Sequence, residues 1–450
     1  MVHLFELDNK KFAVDVNSGI IHELDDVAYD LLGMDYYKGK DNLEILLTKY
    51  PKSIIDEVDA ELEELEKQGV LYSMDNDIAL KIKPTLKAIC LNVAHDCNLT
   101  CRYCFASQGD YKAKRSLMSF DIGKKALDFL LQNSGTRNNL EVDFFGGEPL
   151  MNFDVVRDLV HYGRQEEIKY GKNFRFTITT NGVLLNEEKM AFINSHFDNI
   201  VLSLDGRKTV NDKIRKTLNG KGSYDLIIPK MKQAVESRKD KSYFIRGTFT
   251  GENLDFTEDV AHMRELGFTK LSMEPVVTEP GNPLEIKAID LETVKKEYEN
   301  LYYFYKNSMG SDKEFNFFHF EMDLENGPCL YKRISGCGAG NEYVAITPEG
   351  QIYPCHQFVG DKDFILGDLE TGILRKDIQN MFYSSNVMEK EDCRQCWAKY
   401  FCSGGCHANA YNFNKDFLKP YKIGCEMEKK RIECAIRLKS ERIERDDSQN

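Results

Sequence analysis

The sequence has no apolar run long enough to cross a bilayer, and its start has no signal-peptide pattern. No stretch approaches the ~18 consecutive apolar residues of a transmembrane helix. Residues 1–6 (Met-Val-His-Leu-Phe-Glu) lack a basic segment followed by an apolar one. The sequence therefore predicts a cytoplasmic protein with no membrane partner.

The chain also lacks a basic stripe. It carries 60 Lys and Arg against 73 Asp and Glu, which gives a formal net charge of −13 over 450 residues. Phosphate binding needs clustered Lys and Arg. We therefore expect no nucleic acid partner, and the length predicts two to four soluble domains.

Cysteine is absent from the first 89 residues and abundant after them. Nine of the 13 cysteines lie beyond residue 328. Disulfides do not persist in the cytoplasm, so clustered thiols there indicate metal ligands or catalytic groups. Cys90, inside a predicted strand, and Cys434, on a charged helical tail, are interpreted as ordinary residues.

Residues 1–80 predict a small β-hairpin followed by three helices. Short strand patterns at 4–7, 12–16 and 20–23 are separated by turn residues. A later helix is expected to begin at Ser53, with Asp56 completing a capping box. Its apolar stripe is 54, 58, 62 and 65, and Gly69 is expected to end it.

Residues 87–310 alternate between strand and helix patterns. The predicted strands are 88–94, 141–145, 174–179, 199–204, 243–249 and 270–276, and helical periodicity marks 120–132, 154–169 and 255–266. This alternation predicts an α/β fold with a parallel sheet, a partial (β/α)6 TIM-like barrel whose chemistry lies at the C-terminal strand ends. Residues 311–450 form a third, Cys- and Gly-rich segment, and its charged end, 435–450, is expected to fray.

Three cysteines follow the first predicted barrel strand at C-x3-C-x2-C spacing. Cys97, Cys101 and Cys104 lie on one short loop. Three thiolates can hold three irons of a [4Fe–4S] cluster and leave the fourth iron open. A zinc site is disfavoured, because structural zinc takes four ligands and usually shows C-x2-C pairs.

This spacing, with Tyr103 as the aromatic residue before the last cysteine, resembles the signature of the radical S-adenosylmethionine (SAM) superfamily. The resemblance implies that the open iron binds the amino and carboxylate groups of SAM. It also implies that an electron from the cluster cleaves SAM, and that the resulting 5′-deoxyadenosyl radical abstracts a substrate hydrogen.

The residues after the second strand, Gly146-Gly147-Glu148, resemble the GGE motif of that superfamily. Glycine lets a backbone approach a ligand closely, and a carboxylate suits an ammonium group. The resemblance implies contact with the amino group of SAM.

Polar residues also follow the next two strands. Asn181 and Ser203 stand where a ribose fits, and Arg215 resembles the arginine that pairs with the SAM carboxylate in peptide-modifying relatives. An Asx turn at Asn181 and a surface role for Arg215 remain alternatives, and Asp205 either binds or only shapes its loop. The ends of the last two strands, 246–248 and 273–275, are expected to line the same pocket.

The C-terminal cysteines form an ordered array that resembles the seven-cysteine signature of the SPASM domain: Cys337, Cys355, Cys393, Cys396, Cys402, Cys406 and Cys425. The resemblance implies two auxiliary [4Fe–4S] clusters, and hence three clusters in all. The implied ligands are Cys393, Cys396, Cys402 and Cys425 for the outer cluster, and Cys337, Cys355 and Cys406 for the inner one.

Cys329 is predicted as the eighth ligand of the auxiliary clusters. If it binds, the inner cluster is closed and carries electrons; if it does not, an open iron can bind a substrate thiol. The sequence leaves both possibilities open. His95, His356 and His407 lie beside predicted ligands but have no ligand-like partner, so we interpret them as structural.

The predicted unit at 1–80 resembles the winged-helix-like recognition element of peptide-maturation enzymes. That element binds a leader peptide as an added strand, packed against its third helix, here about 53–68. A dimerisation or capping domain is the alternative for this unit.

The whole arrangement resembles the thioether-forming (sactionine-type) maturases of ribosomally made, Cys-rich SCIFF precursor peptides. It implies hydrogen abstraction from a peptide carbon, bonding of a cysteine sulfur to that carbon, and transfer of one electron to an auxiliary cluster. The expected partners are the precursor peptide, bound through its leader, and an electron donor such as ferredoxin or flavodoxin.

Three other functions remain as alternatives. A sulfatase-type maturase that makes formylglycine shares the barrel and the auxiliary clusters but lacks the front domain. Carbon–carbon crosslinking of a peptide fits the same cluster motifs. An iron–sulfur electron carrier is disfavoured, because a carrier needs no cofactor pocket. The acceptor residue, the general base and the oligomeric state are not predicted.

Overall fold

The computed structural model describes residues 1–34, 36–40, 42–75, 85–322 and 330–449. The predicted domain boundary near residue 80 and the predicted ligand Cys329 lie outside these residues. The described helices and strands of the N-terminal unit are β1 Val2–Leu7, β2 Lys10–Asp15, β3 Ile21–Leu24, α1 Asp26–Gly33, α2 Tyr36–Gly39, α3 Leu43–Lys49 and α4 Lys52–Lys67.

The N-terminal strands form an antiparallel sheet with β2 in the centre. Asp8 and Asn9 join β1 to β2 with φ of 56° and 58°, the left-handed turn that suits the twist of a hairpin. Alternate residues of β2 face opposite sides. Phe12 and Val14 pack into the main core of the molecule, whereas Ala13 packs against the N-terminal helices.

Helix α4 departs from its prediction at its start. Its N-cap residue is Pro51 and no side chain caps it, so the predicted capping box at Ser53 is wrong. The buried stripe uses Ile55 in place of the predicted residue 54, which is exposed, so the helix packs on a slightly rotated face. The short α2 is one helix more than the sequence predicted.

Six parallel strands form the barrel within the described residues. Their spatial order is the order of the chain. They are β4 Ala88–His95, β6 Asn139–Gly146, β7 Asn173–Thr180, β8 Asn199–Ser203, β9 Ser242–Phe249 and β10 Lys270–Pro275, with the short β5 Ser116–Leu117 antiparallel to β4. The predicted α/β fold with a partial barrel is confirmed.

Helices cover the outside of this sheet: α5 Phe120–Asn133, α6 Phe153–Tyr170, α7 Glu187–His196, α8 Lys208–Ile214, α9 Tyr224–Arg238, α10 Phe256–Glu265 and α11 Leu291–Ser308. In β6 and β7 every second residue is fully buried against these helices. The intervening side chains, such as Asp143 and Thr179, point to the barrel interior. Polar groups at the strand ends are thereby directed to one opening.

The C-terminal segment extends the barrel sheet at both edges. It contributes β11 Asn316–Phe317, β12 Tyr343–Ile346, β13 Gln351–Tyr353, β14 Gly367–Asp368 and β15 Gly372–Ile373. Strand β11 lies parallel to β10, and β12 lies parallel to β4. Its helices are α12 Leu330–Ser335, α13 Lys376–Ser384, α14 Glu391–Arg394, α15 Lys399–Cys402, α16 His407–Asn414 and α17 Lys422–Gln449. The boundary at 310 stays a prediction.

The predicted frayed tail is wrong, because 435–449 continues helix α17. Cys434, Ile436 and Leu438 are buried, and the Cys434 thiol lies 3.6 Å from the Tyr298 carbonyl of α11. The charges that suggested fraying pair along the helix and with α11; Arg437, for example, lies 3.0 Å from Glu441. Of the helices described, none is both long and apolar enough to cross a membrane.

Candidate active site

A cavity of about 240 Å³ opens at the C-terminal ends of the barrel strands. Every residue predicted for the first cluster and for SAM lies in its wall: Cys97, Cys101, Cys104, Tyr103, Gly146, Gly147, Glu148, Asn181, Ser203 and Arg215. Arg246, Thr248 and Glu274, from the last two strands, line it as well. The structure thus brings these residues together, while their contacts with SAM stay a prediction.

Two glycines let the end of β6 pack on the chain that leads to Cys97. A Cβ on Gly146, whose φ is +127°, would lie 2.3 Å from the Ala94 carbonyl oxygen, and one on Gly147 would lie 2.1 Å from the Asp96 oxygen. The Gly147 amide donates to the Ala94 carbonyl at 2.8 Å. A side chain at either position would push the two segments apart.

The Glu148 carboxylate is fully buried and bonded to protein groups. It accepts hydrogen bonds from Thr180 Oγ1 at 2.7 Å, the Asn181 amide at 2.8 Å and the Leu150 amide at 3.1 Å. Burial raises the pKa of Glu148 to about 7, and these bonds only partly oppose that rise. In this structure Glu148 holds the end of β7 in place, and its predicted contact with an ammonium group remains untested.

Asn181 fixes the cysteine loop as well as its own turn. Its Nδ2 donates to Asn98 Oδ1 at 2.7 Å, and its Oδ1 accepts from the Val183 amide at 3.0 Å. The Asx-type turn weighed from the sequence is therefore present, together with a contact to the residue after Cys97.

Asp205 organises a buried group of polar residues at one side of the cavity. Tyr103 donates its hydroxyl to both Asp205 oxygens at 2.9 Å, and the Thr248 amide donates to Oδ1 at 3.1 Å. Arg215 Nε lies 3.0 Å from Asp205 Oδ2, and its guanidinium carbon lies 5.4 Å from the centre of the Tyr103 ring. Asp205 therefore positions Arg215 and Tyr103, which excludes a surface role for Arg215.

The chemistry of the thiols fits a bound cluster. Burial, followed by the nearby Glu148, raises the pKa of Cys97 to about 12, and burial does the same for Cys101. Ligation by a metal centre holds such thiols deprotonated. Three thiols and no fourth ligand on one loop match a cluster with one open iron.

The C-terminal cysteines interact in two sets. Burial raises the pKa of Cys355, and repulsion from Cys337 and Cys406 adds to it. Burial likewise raises the pKa of Cys425 to about 11, with Cys393 and Cys396 adding to it. Cys402 is affected in the same way by Cys425, Cys393 and Cys396. This grouping agrees with the inner and outer sets that the SPASM resemblance implies, and their ligation of clusters stays a prediction.

The described residues form no site for a single metal ion. In the part of the chain that the structure describes, no three His, Cys, Asp or Glu side chains are grouped as ligands of one metal ion. A cubane cluster places one ligand on each iron corner and so needs a wider spacing.

His356, interpreted from the sequence as structural, lies in the cavity wall. Its Nδ1 is 2.8 Å from the Tyr343 hydroxyl, and its ring centre is 5.5 Å from that of Phe105 and 5.3 Å from that of Phe145. Burial lowers the pKa of His356 to about 4, so the ring is neutral at pH 7. Phe105 and Gln357, which also line the cavity, carried no signal in the sequence beyond standing next to predicted ligands.

Glu274 presents an ionised carboxylate to the cavity. Its Oε1 lies 2.9 Å from His319 Nε2 and 3.0 Å from Ser272 Oγ, and Arg246 Nη2 lies 3.5 Å away. Burial alone would raise the pKa of Glu274, but His319 and Arg246 outweigh it and lower the pKa well below its ordinary value. Glu274 therefore presents a negative charge to the site from the side of the last two strands.

Comparison with known families agrees with this geometry. Residues 91–264 match the radical SAM superfamily, and residues 337–397 match SPASM, an iron–sulfur cluster-binding domain. A cysteine-type anaerobic sulfatase-maturating enzyme from Clostridium novyi (strain NT) is 25% identical over 333 residues, which cover 70% of this chain and 86% of that enzyme.

Solved structures share the fold. The structure of native anSMEcpe with bound AdoMet is 20% identical and covers 78% of this chain and 97% of its own, with a TM-score of 0.64. Streptococcus suis SuiB bound to the precursor peptide SuiA is 19% identical and covers 91% of this chain and 95% of its own, with a TM-score of 0.53.

Proposed function

Because the chain belongs to the radical SAM superfamily and carries a SPASM domain, we propose that it forms intramolecular thioether crosslinks in a Cys-rich precursor peptide. The observation that carries the precursor-peptide part of this proposal is the match to SuiB bound to its precursor peptide, which extends over 91% of this chain. The thioether product rests on the sequence resemblance to the thioether-forming maturases. The match to anSMEcpe extends over 78%. A leader-binding front domain is the feature that separates precursor-peptide maturases from the sulfatase type.

Cys97, Cys101 and Cys104 would hold the catalytic cluster. Backbone groups of Gly146 and Gly147, together with the side chains of Asn181, Ser203 and Arg215, would hold SAM, with Tyr103 packed behind Arg215. When bound, this pair supplies a 5′-deoxyadenosyl radical that removes a hydrogen atom from the substrate. The protein supplies the pocket that binds and orients the reacting groups.

Thioether formation replaces one C–H and one S–H bond of the peptide by one C–S bond. The peptide loses two hydrogens: one as a hydrogen atom, and one as the thiol proton together with an electron. The structure assigns no base for the thiol proton, because Glu274, the ionised carboxylate in the cavity wall, has a pKa held well below its ordinary value and is a weak proton acceptor. Glu274, oriented by His319 and Ser272, instead presents a fixed negative charge to the bound peptide.

The two C-terminal cysteine sets would hold the auxiliary clusters that accept the electron. The count of three [4Fe–4S] clusters, ligation by Cys329, a donor such as ferredoxin or flavodoxin and a cytoplasmic location belong to the same proposal. Electron transfer through a chain of clusters needs no further residue in the cavity.

The N-terminal sheet would bind the leader of the precursor. Among the described residues, β3 pairs only with β2 and leaves its outer edge without a strand partner. An extended peptide can add to such an edge through backbone hydrogen bonds. The predicted unit at 1–80 would then be the recognition unit of the enzyme.

Formylglycine formation is the second candidate, and the Clostridium novyi relative favours it. That reaction oxidises a Cys or Ser of a sulfatase and creates no bridge. Carbon–carbon crosslinking is the third candidate.

The test is an anaerobic reaction of the reconstituted enzyme with SAM, a reductant and a Cys-rich precursor peptide encoded beside its gene. The expected product has lost two hydrogens, resists thiol reductants, blocks alkylation of one cysteine and accompanies 5′-deoxyadenosine. A sulfatase-derived Cys peptide is the matched control. Conversion of that control peptide to an aldehyde, with an unchanged precursor, would contradict thioether formation and support the second candidate.

A further inference from the structure

A second cavity, of about 510 Å³, adjoins the cofactor cavity. The two share Tyr103, Cys104, Phe105 and Gln357 in their walls. From this shared wall, the seam between the two cavities, the second cavity runs between the first-cluster loop and the C-terminal segment. It offers a route from solvent to the cofactor cavity.

One wall is an ordered loop with unusual backbone geometry. Ser107, Tyr111 and Lys112 line the cavity with φ of 48°, 53° and 58°. The Tyr111 hydroxyl donates to the Gly146 carbonyl at 3.2 Å, and a Cβ on Gly360 would lie 2.2 Å from the Tyr111 carbonyl oxygen. The loop is therefore held between the barrel and the C-terminal segment. Such conformations concentrate at functional sites.

The opposite wall presents polar groups that lack protein partners. Thr278 Oγ1 is buried and has no hydrogen-bond partner in the described residues. The side chain of Gln357, at the seam, makes no hydrogen bond within the described part of the chain. Asn412 makes only a 3.5 Å contact from its Nδ2 to the Thr278 carbonyl. Only Thr278 Oγ1 among these is a fully buried atom, and because buried polar groups are normally satisfied, it indicates a polar ligand. The half-buried side chains of Gln357 and Asn412 stand in the same wall and can bond that ligand too.

The lining fits a peptide backbone better than a charged or apolar ligand. Each side-chain amide has both a donor and an acceptor, and an extended peptide offers one C=O and one N–H per residue. Lys112, Lys362 and Lys415 stand at the rim beside Glu279 and Asp361, so the rim carries both signs of charge.

We propose that this second cavity binds the backbone of the precursor-peptide segment next to the reacting residue, with Gln357 at the seam positioning that residue in the cofactor cavity. The inference rests on the proposed function, because it takes the substrate to be a peptide. It adds a binding site separate from the leader site on the N-terminal sheet. Recognition through the backbone also allows the several cysteine contexts of a Cys-rich peptide to enter in turn.

The test is photo-crosslinking in the full, cluster-loaded enzyme. Lys362, at the rim of the cavity, is replaced by p-benzoylphenylalanine, and so is Tyr170 as the control, an exposed aromatic residue on the outer face of α6. Each variant is irradiated with the precursor peptide, and the crosslinked residue is mapped by mass spectrometry. Unmodified enzyme is assayed in parallel for peptide modification.

We expect the Lys362 variant to capture the core segment of the peptide around a reacting cysteine, at least about tenfold more than the Tyr170 variant. Adding Gln357→Ala to the Lys362 variant should lower the yield at subsaturating peptide about fivefold to tenfold, the loss expected for one hydrogen bond.

A peptide that is modified normally but is captured equally at both positions, or only through its leader, would overturn the inference and leave the proposed function intact. Capture at Lys362 without modification would support the binding site and count against thioether formation.

Discussion

Arg215 offers the sharpest test of the SAM site. It lines the cavity, is 8% exposed, and has its Nε held 3.0 Å from the Asp205 carboxylate. A charge-assisted hydrogen bond contributes about 1.5–3 kcal/mol. We therefore expect Arg215→Met to weaken SAM binding about 10- to 150-fold. Arg215→Lys keeps the charge but loses the planar guanidinium group. Its affinity for SAM should lie between that of Arg215→Met and that of the native protein.

Asp205→Asn tests whether Asp205 acts by positioning Arg215 and not by contacting SAM itself. The substitution leaves the Arg215 charge buried without its partner, and removing one member of a buried pair costs about 3–5 kcal/mol of stability. Asp205→Asn should therefore lower the unfolding temperature more than the double variant with Arg215→Met does. Non-additivity of this kind is expected for residues in direct contact.

The assay is anaerobic equilibrium dialysis with labelled SAM, on protein whose iron and sulfide content matches that of the wild type. Thermal unfolding followed by circular dichroism gives the stability comparison. Wild-type SAM affinity in Arg215→Met would refute the assignment of Arg215 to the cofactor carboxylate. Equal unfolding temperatures for Asp205→Asn and the double variant would refute the buried-pair argument.

Three further substitutions test other parts of the site. Glu274→Gln removes the fixed negative charge beside Arg246 and should keep 5′-deoxyadenosine formation but lower crosslink formation about tenfold, the loss expected for one charge-assisted hydrogen bond; unchanged crosslinking by mass spectrometry would exclude a role for this charge. Gly146→Ala should abolish SAM binding in dialysis, because the new Cβ would lie 2.3 Å from the Ala94 carbonyl oxygen. Gly171→Ala, where φ is also positive but nothing lies within 4 Å, is the control and should bind SAM normally. Cys425→Ser should lower the iron content of the enzyme while leaving SAM cleavage measurable, and unchanged iron content would contradict its role as a ligand.

The first-cluster loop and the barrel could be predicted because their signals are local. Cys97, Cys101 and Cys104 stand on eight consecutive residues, and each strand end carries its polar residue directly after an apolar run. Parallel strands bring those ends to one edge whatever the details of packing. The order of the strands is therefore enough to predict that the residues expected to contact SAM surround one cavity.

The role of Asp205 could not be predicted, because its partners are distant in the sequence. Tyr103 is 102 positions away and Thr248 is 43 positions away. From the sequence alone, Asp205 was equally consistent with shaping its loop. The same holds for helix α17, whose charged residues suggest solvent exposure although Glu441 pairs with the distant Lys306 of α11 at 3.0 Å.

His356 and Gln357 reach the cavity for a reason that no local pattern contains. Strand β12 pairs with β4, and the antiparallel β13 that follows it leads directly to Cys355. This pairing carries a segment from the C-terminal third of the chain to the edge of the first barrel strand. A residue after a predicted ligand then becomes part of the cofactor cavity.

The same pairing brings residues beside the first-cluster loop and beside the inner cysteine set into contact. Cys104 is followed by Phe105 and Cys355 by His356, and the centres of these two rings lie 5.5 Å apart. Phe145 packs 5.3 Å from His356, so the three rings close the cofactor cavity on the side of the inner cysteine set. A peptide cannot enter through packed rings. The peptide that we propose for the second cavity would enter past Gln357, beside these rings, where the two cavities share a wall.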